Sequence, residues 1–293
     1  MTAEVGLVDA LQGRDRLVAS GVTVERLPAL LDACKATNGA RWRVVSPPST
    51  VEALSTRFVL GSAVAEAVEN GSLAVRITDE PAGERTVFAG AEWTGTLAGP
   101  PDDPTLLHEE APERTAGLHA AATTWFDRGT PADVKMPSRT TLLSAAETAL
   151  SERFSDDLGV ILEHADADQL LRDDPISDLT VLVALTARYD HLFRDLRAWA
   201  DEVGIVAPQT LTAARRELDD RGLIETLKVP MGLGHPKYRL RALDDELAVV
   251  DPEAFPQHLR ERFAVTDPES PATARTGTTA ADSNRPVWDR NGR

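Results

Sequence analysis

The sequence predicts an α+β / α/β chain in three parts: an N-terminal α/β domain over 1–172, a C-terminal winged helix-turn-helix over 173–264, and a disordered tail over 265–293. Three observations predict it. Strand-like and helical periodicities alternate through about the first hundred residues, the pattern of α/β layers. Residues 176–243 then run helix, helix, glycine, helix, and two short strands around a Pro-Met-Gly-Leu-Gly loop. After Val265, large apolar residues give way to Pro, Thr, Ala and Asp, which bury too little apolar surface to order a chain.

The elements follow in order. An amphipathic run at 5–11 precedes a brief strand at 16–20. Thr23 reads as the N-cap of a helix over 24–36, with Pro28 in its first turn and Leu27, Leu30, Leu31 and Cys34 on one face. Asn38-Gly39 ends it, and 42–46 reads as a strand. Pro47-Pro48 opens a helix around 51–58, and another spans 62–68. Alternation predicts strands at 73–78, 86–89 and 92–97, with 79–84 as a hairpin turn and 99–104 as a loop. A helix over 109–126 and a Gly-Thr-Pro loop at 129–131 come next. Ser138 then caps a long helix over 139–154. A short strand at 160–163 and a short helix at 165–172 lead to the Asp173-Asp174-Pro175 boundary.

Composition narrows the setting. The longest strongly apolar stretch, 179–187, is far below the ~20 residues a membrane span needs, and residues 1–17 lack a signal-type apolar run. A cytoplasmic protein with no membrane partner is expected. The single cysteine excludes an internal disulfide and a cysteine-based zinc cluster. Cys34 reads as a small buried hydrophobe. The net charge is −16, with 47 acids against 31 bases, and only four of the bases are lysine: Lys35, Lys135, Lys228 and Lys237. Few lysines, many arginines and few aromatics fit a halophilic protein, whose self-repulsion is screened over ~3 Å at molar salt. In that setting acidity does not exclude nucleic acid.

Residues 193–241 depart from the acidic background. They hold nine bases against seven acids, so the rest of the chain carries −18. The third helix, begun by Pro208, packs inward through Leu211, Ala214 and Leu218. Its acids cluster at 217–220, leaving its N-terminal half without one. A winged helix offers that half to a major groove, with the hairpin reaching the backbone. The expected DNA-binding residues are Gln209, Thr210, Thr212, Arg215 and Arg216 on the helix, and Lys228, His235, Lys237 and Arg239 on the wing. The competing reading makes Arg215 and Arg216 a solvated face paired to Asp219 and Asp220 at i,i+4. Trp199 reads as core.

Three runs carry a family resemblance: Arg-Asp-Leu-Arg-Ala-Trp-Ala-Asp-Glu-Val-Gly at 194–204, Gly-Leu-Ile-Glu-Thr at 222–226 followed by Lys-Val-Pro at 228–230, and Gly-His-Pro-Lys-Tyr-Arg-Leu at 234–240. They resemble the haloarchaeal TbsP family of winged-helix transcription regulators, genetically tied to the sugar-responsive TrmB regulator. The similarity covers about 50 residues. It implies an archaeal transcription regulator, with central carbon (sugar) metabolism genes as its field. Three positions depart from the family pattern. Ala207 replaces a hydroxyl residue, Ala213 a basic one, and His235 stands where arginine is more usual.

The expected partners are double-stranded DNA, a second copy in a homodimer, and a small-metabolite effector held by the α/β domain. No cofactor, metal site or catalytic constellation is expected: the six histidines show no ligand spacing, and no phosphate-binding or nucleophile motif is present. The alternative is a winged-helix protein-interaction adaptor without direct DNA binding.

Overall fold

The computed structural model describes residues 7–78, 85–98, 105–164, 176–205, 208–230 and 237–265. The expected turn at 79–84, the loop at 99–104, the helix at 165–172, His235 and the tail lie outside the described residues.

The sheet unit is built on three parallel strands, β1 (Val18–Ser20), β2 (Trp42–Ser46) and β3 (Leu73–Ile77). A short α1 (Leu7–Leu11) precedes β1. The crossovers are α2 (Leu27–Ala36), then α3 (Pro48–Leu54) with α4 (Phe58–Glu69). On the free edge of β1 the chain adds β4 (Val87–Ala89), β5 (Thr94–Ala98) and β6 (Thr105–Glu109), all antiparallel. After α5 (Pro112–Arg128), the two-residue β7 (Thr130–Pro131) closes the β3 edge. The order is β6-β5-β4-β1-β2-β3-β7. Strand side chains alternate between faces, and neighbouring residues fall into separate cores. Ala19, Val44 and Phe88 pack with α2 and α4, whereas Val18, Val45 and Ala89 pack under Ala122 and Phe126 of α5.

Four local expectations are corrected here. Residues 79–84 do not join neighbouring strands, because β2 and β1 lie between β3 and β4. Turn composition signals a reversal but not the next strand's partner, and the open edge was that of β1. The strand β6 fills the gap between the loop expected at 99–104 and the helix expected from 109, and it takes Glu109 from that helix; its mostly exposed residues show no alternation, and pairing with β5 makes it a strand. The loop at 129–131 likewise holds a strand, β7. The second helix begins at Leu27, not after Thr23. Its cap is Arg26, and the Thr23 carbonyl accepts from Arg26 N at 3.0 Å in a preceding turn.

The helical unit contains α6 (Arg139–Ala149), α7 (Glu152–His164), α8 (Asp178–Arg188), α9 (Phe193–Glu202), α10 (Pro208–Asp220), β8 (Ile224–Val229), β9 (Lys237–Ala242), α11 (Asp245–Val249) and α12 (Phe255–Val265). Ser138 caps α6 as expected, its Oγ accepting from Thr141 N at 3.3 Å. The single helix expected over 139–154 is two. It breaks at Leu150 (φ −119°, ψ −81°), and Ser155 Oγ then donates to Leu143 O at 2.9 Å as α7 folds back on α6. The strand expected at 160–163 is the interior of α7, whose apolar residues fall on one helical face: Phe154, Leu158, Ile161 and Leu162.

The expected boundary at 172 also moves. Leu142, Ala146, Phe154 and Leu158 share one core with Trp199, Leu211 and Phe255. Both faces of the sheet are already covered, so the apolar stripes of α6 and α7 pack on the helices after them. The two units meet at α4. Val59 N donates to Asp178 Oδ2 at 3.1 Å, and both Glu66 carboxylate oxygens accept from the start of α6, from Thr140 N at 3.0 Å and Thr140 Oγ1 at 2.9 Å.

Candidate nucleic-acid interface

The site begins with three helices set by caps and glycines. Ser177 Oγ accepts from Thr180 N at 3.2 Å and starts α8. The helix α9 ends at Gly204 (φ +73°), with Ile205 N donating to Ala200 O at 3.0 Å; α10 ends the same way at Gly222 (φ +69°), with Leu223 N donating to Leu218 O at 3.0 Å. This left-handed stop suits glycine: the space around both positions is open, but at positive φ an L residue's Cβ crowds its own adjoining carbonyl. Leu211, Ala214 and Leu218 bury one stripe of α10, and Trp199 is fully buried beneath it, edge-on to Phe154 at 6.1 Å. The hairpin β8–β9 is held to the helices by a bridge between Leu192 and Arg239 and by Leu240 N donating to His191 O at 3.0 Å.

The predicted residues divide into presented and consumed groups. Gln209, Thr210 and Arg216 are exposed on α10, and Thr212 is half-buried. Ala213 is exposed on the same helix, a bare spot where a basic side chain would reach outward. Arg215 is different. Its Nη1 donates to Thr226 Oγ1 of β8 at 2.8 Å and lies 3.9 Å from Asp219. Its guanidinium stands 5.5 Å from the Phe193 ring and 5.9 Å from that of Tyr238. Only 16% of the side chain is exposed. Arg215 therefore braces α10 against the hairpin, and the i,i+4 pairing to Asp219 weighed from sequence is present for it.

The wing cations lie on two faces. Register pairs Lys228 with Tyr238, and Thr226 with Leu240. Directly opposed residues share a face, so Lys228 stands on the face that Thr226 turns toward Arg215. Arg239, opposite Leu227, and Lys237, opposite Val229, lie on the other face. Lys228 and Arg239 are exposed and Lys237 is half-buried. Among the described residues, Arg216, Lys228, Lys237 and Arg239 have no ion-pair partner. Arg241 is neutralised by Asp190 at 3.0 Å and Glu225 at 3.5 Å. Two exposed neighbours were missed as site residues, Tyr238 and Arg197. Tyr238 lies directly across the ladder from Lys228, a relation that only strand register reveals.

Behind this surface the helical unit is latched. Tyr189 Oη donates to Asp157 Oδ2 at 2.5 Å, and burial together with that carboxylate pushes the phenol up to about 12. His191 Nε2 lies 3.1 Å from Ser151 Oγ, and burial lowers its pKa against the opposing pull of Asp195 and Asp190. Asp244, Glu246 and His258 bring ligand-type atoms within 4.8 Å of one another. Asp244 is already employed. Its Oδ1 caps α11 by accepting from Glu246 N and Leu247 N at 2.9 and 3.4 Å, and its other oxygen pairs with Arg262. This cluster is accounted for as a clasp between α11 and α12.

Family patterns cover nearly the whole chain. That of the TbsP-like transcriptional regulator N-terminal domain matches residues 3–137, and that of the TbsP-like C-terminal HTH domain matches 138–260. The chain belongs to the TbsP-like transcriptional regulators. The division of the family at 137/138 falls just before α6, whose buried residues belong to the helical core; that core also takes in Phe58, Val59 and Met136 from before the division. No curated protein matches the chain. A solved structure described as TrmBL2, an archaeal chromatin protein with a novel mode of DNA binding, aligns over 42% of this chain and 48% of its own, at 9% identity and a TM-score of 0.33. The chain thus spans about half the length of that protein.

Proposed function

We propose that this protein regulates transcription by binding double-stranded DNA, with the N-terminal half of α10 in a major groove and the β8–β9 hairpin along the backbone. One observation carries the reading. Gln209, Thr210 and Arg216 form an exposed, acid-free helix start beside a hairpin whose Lys228, Lys237 and Arg239 have no ion-pair partner among the described residues. Arginine and lysine supply phosphate contacts, and glutamine and threonine supply hydrogen bonds to base edges or phosphate. Membership of a transcription-regulator family supports the same role and no enzymatic one.

The finer reading is a homodimer on two half-sites, in an archaeal cytoplasm near salt saturation, acting on sugar-metabolism genes and answering to a small metabolite. The −16 charge and scarcity of lysine support the high-salt setting. Counterion release contributes less as salt rises, so contacts to bases and groove shape carry more of the affinity.

The test is in-cell crosslinking and immunoprecipitation of the tagged protein beside an Arg216→Ala/Lys228→Ala variant. Both residues are exposed, so the fold is retained. Promoter peaks that vanish in the variant support the reading. A flat wild-type profile under several carbon sources refutes it and leaves the winged helix as a protein-docking module.

A further inference from the structure

Where α2 and α4 of the sheet unit meet the start of α6 and the end of α7, there is a cleft of about 200 Å³. Leu31, Leu60 and Ala63 form its apolar floor, and Lys35 and Arg139 stand on its wall. A second chamber of about 70 Å³ shares Leu31, Ala63, Lys35 and Arg139, so both cations belong to both spaces.

The two cations have acidic neighbours but no direct acidic contact among the described residues. In a chain with 47 acids, neither has an ion pair or hydrogen bond from its side chain among the described residues. The nearby Glu66 carboxylate has both oxygens engaged at Thr140. Arg139 is half-buried, and its Nε is shut away from solvent without an acceptor, a state that polar groups in folded proteins rarely tolerate. Desolvation, and then the Arg139 charge, lowers the pKa of Lys35, while desolvation lowers that of Arg139. Asp32 and Glu163 also line the cleft, and their charges, with that of Glu66 on Arg139, oppose this lowering.

We propose that this cleft binds a small organic anion, its carboxylate or phosphate held between Lys35 and Arg139 and its carbon skeleton on the Leu31–Leu60–Ala63 floor. Arginine holds such groups through paired N–H donors, and lysine adds a point charge. The space is smaller than the ~300–1,000 Å³ of drug-sized sites, so the ligand is a small metabolite. A larger cleft of about 500 Å³ beside Arg14, Arg16 and Arg43 is the weaker candidate. There Arg14 already covers Trp93 at 4.0 Å, and Arg43 donates to Thr123 Oγ1 at 3.4 Å.

The location gives the ligand a route to the winged helix. Arg139 is the first residue of α6, and the α6–α7 turn touches the helix-turn-helix through Ser151 at His191 and Phe154 at Trp199. Occupancy would set how α6 sits on α4, and hence how α9 and α10 are held. This regulatory consequence rests on the DNA-binding reading; binding of the anion does not.

The test is isothermal titration calorimetry of the full chain at one fixed KCl concentration, with inorganic phosphate, glycerol 2-phosphate and malonate as probes. Wild type, Lys35→Gln, Arg139→Gln and Arg16→Gln are compared, with thermal melts confirming that each is folded. Lys35 is exposed, so its variant keeps the fold. The expected result is saturable heat in wild type and Arg16→Gln, weakened about tenfold or more in the other two, as for loss of one charge-assisted contact. A response to the phosphates alone assigns a phosphate ester, and a response to malonate alone assigns a carboxylate. Equal binding by all four proteins, loss only in Arg16→Gln, or no saturable heat with any probe overturns the site. If the anion binds but leaves promoter affinity unchanged, the site stands and its regulatory role falls.

Discussion

In the sheet unit, three arginines are turned inward, although others such as Arg16 and Arg41 are exposed. Arg76 Nη1 donates to the carbonyls of Phe126, Asp127 and Gly129 at the end of α5, at 3.1, 3.0 and 3.5 Å, and its guanidinium lies 4.6 Å from the Phe126 ring. Arg43 shares that ring at 5.5 Å, and Arg14 covers Trp93. On the winged surface, Arg216 and Arg239 stand exposed without an ion-pair partner among the described residues. Neither unit is uniform. In the helical unit Arg215 and Arg221 are braces, donating to Thr226 Oγ1 and Phe263 O, and Arg139 at the junction has a buried Nε without an acceptor. Counting arginines therefore does not locate a binding surface; their partners do. A guanidinium already satisfied by carbonyls, rings or carboxylates gains little from a phosphate, whereas an unpartnered one gains the full charge-assisted bond.

The largest expected effect tests the division into units itself. Trp199→Ala opens a cavity in the helical core and should cost about 3–5 kcal/mol in guanidinium unfolding at constant KCl. Amide exchange in α7 should accelerate together with that in α9, while exchange in β1–β3 stays slow. If α7 follows the sheet unit instead, the boundary drawn near 137 is wrong.

Arg76→Ala removes a charged donor from the end of α5. It should destabilise the chain by about 1.5–3 kcal/mol and leave DNA affinity untouched. A change in DNA affinity without a change in stability would undo the contrast between the units.

The sharper comparison lies within α10. Arg215→Lys loses the fork and the ring contacts, so stability should fall by about 1 kcal/mol and DNA affinity should fall with it. Arg216→Ala should change stability by no more than about 0.5 kcal/mol, yet weaken DNA binding and reduce the salt slope by about 1. Identical profiles for the two variants would show that the brace and the contact are not distinct.

The smallest effect is acid sensitivity. His191 has a lowered pKa in the folded chain, so the unfolded chain takes up more protons as pH falls past its usual ~6.5. Stability should thus be full above that value, decline below it, and level off once folded His191 is itself protonated. His191→Gln should flatten the decline in thermal midpoints between about pH 5 and 7. An unchanged slope would remove His191 as its source.

Much of this architecture is written locally in the sequence. The glycine stops at Gly204 and Gly222, the serine caps at Ser138 and Ser177, and the acid-free start of α10 each depend on residues within a few positions of one another. Helix periods and cap chemistry act over one or two turns, so these features survive without knowledge of the fold. The order of the winged helix followed from them, and so did the burial of Trp199 and Cys34.

What only the tertiary structure decided was partnership. Residues 79–84 signalled a turn, but the edge left open by β1 determined where β4 went. The stripe on α6 was legible, but the sheet faces already covered by other helices sent it into the helical core. Lys228 and Arg239 read as one basic wing until strand register put them on opposite faces. Arg215 and Arg216 are adjacent in sequence and alike in chemistry. They lie about 100° apart around the helix, and this alone turns one toward Thr226 and leaves the other exposed. Local preference decides which element forms, while the partner that satisfies a charge or a strand edge arrives from elsewhere in the chain.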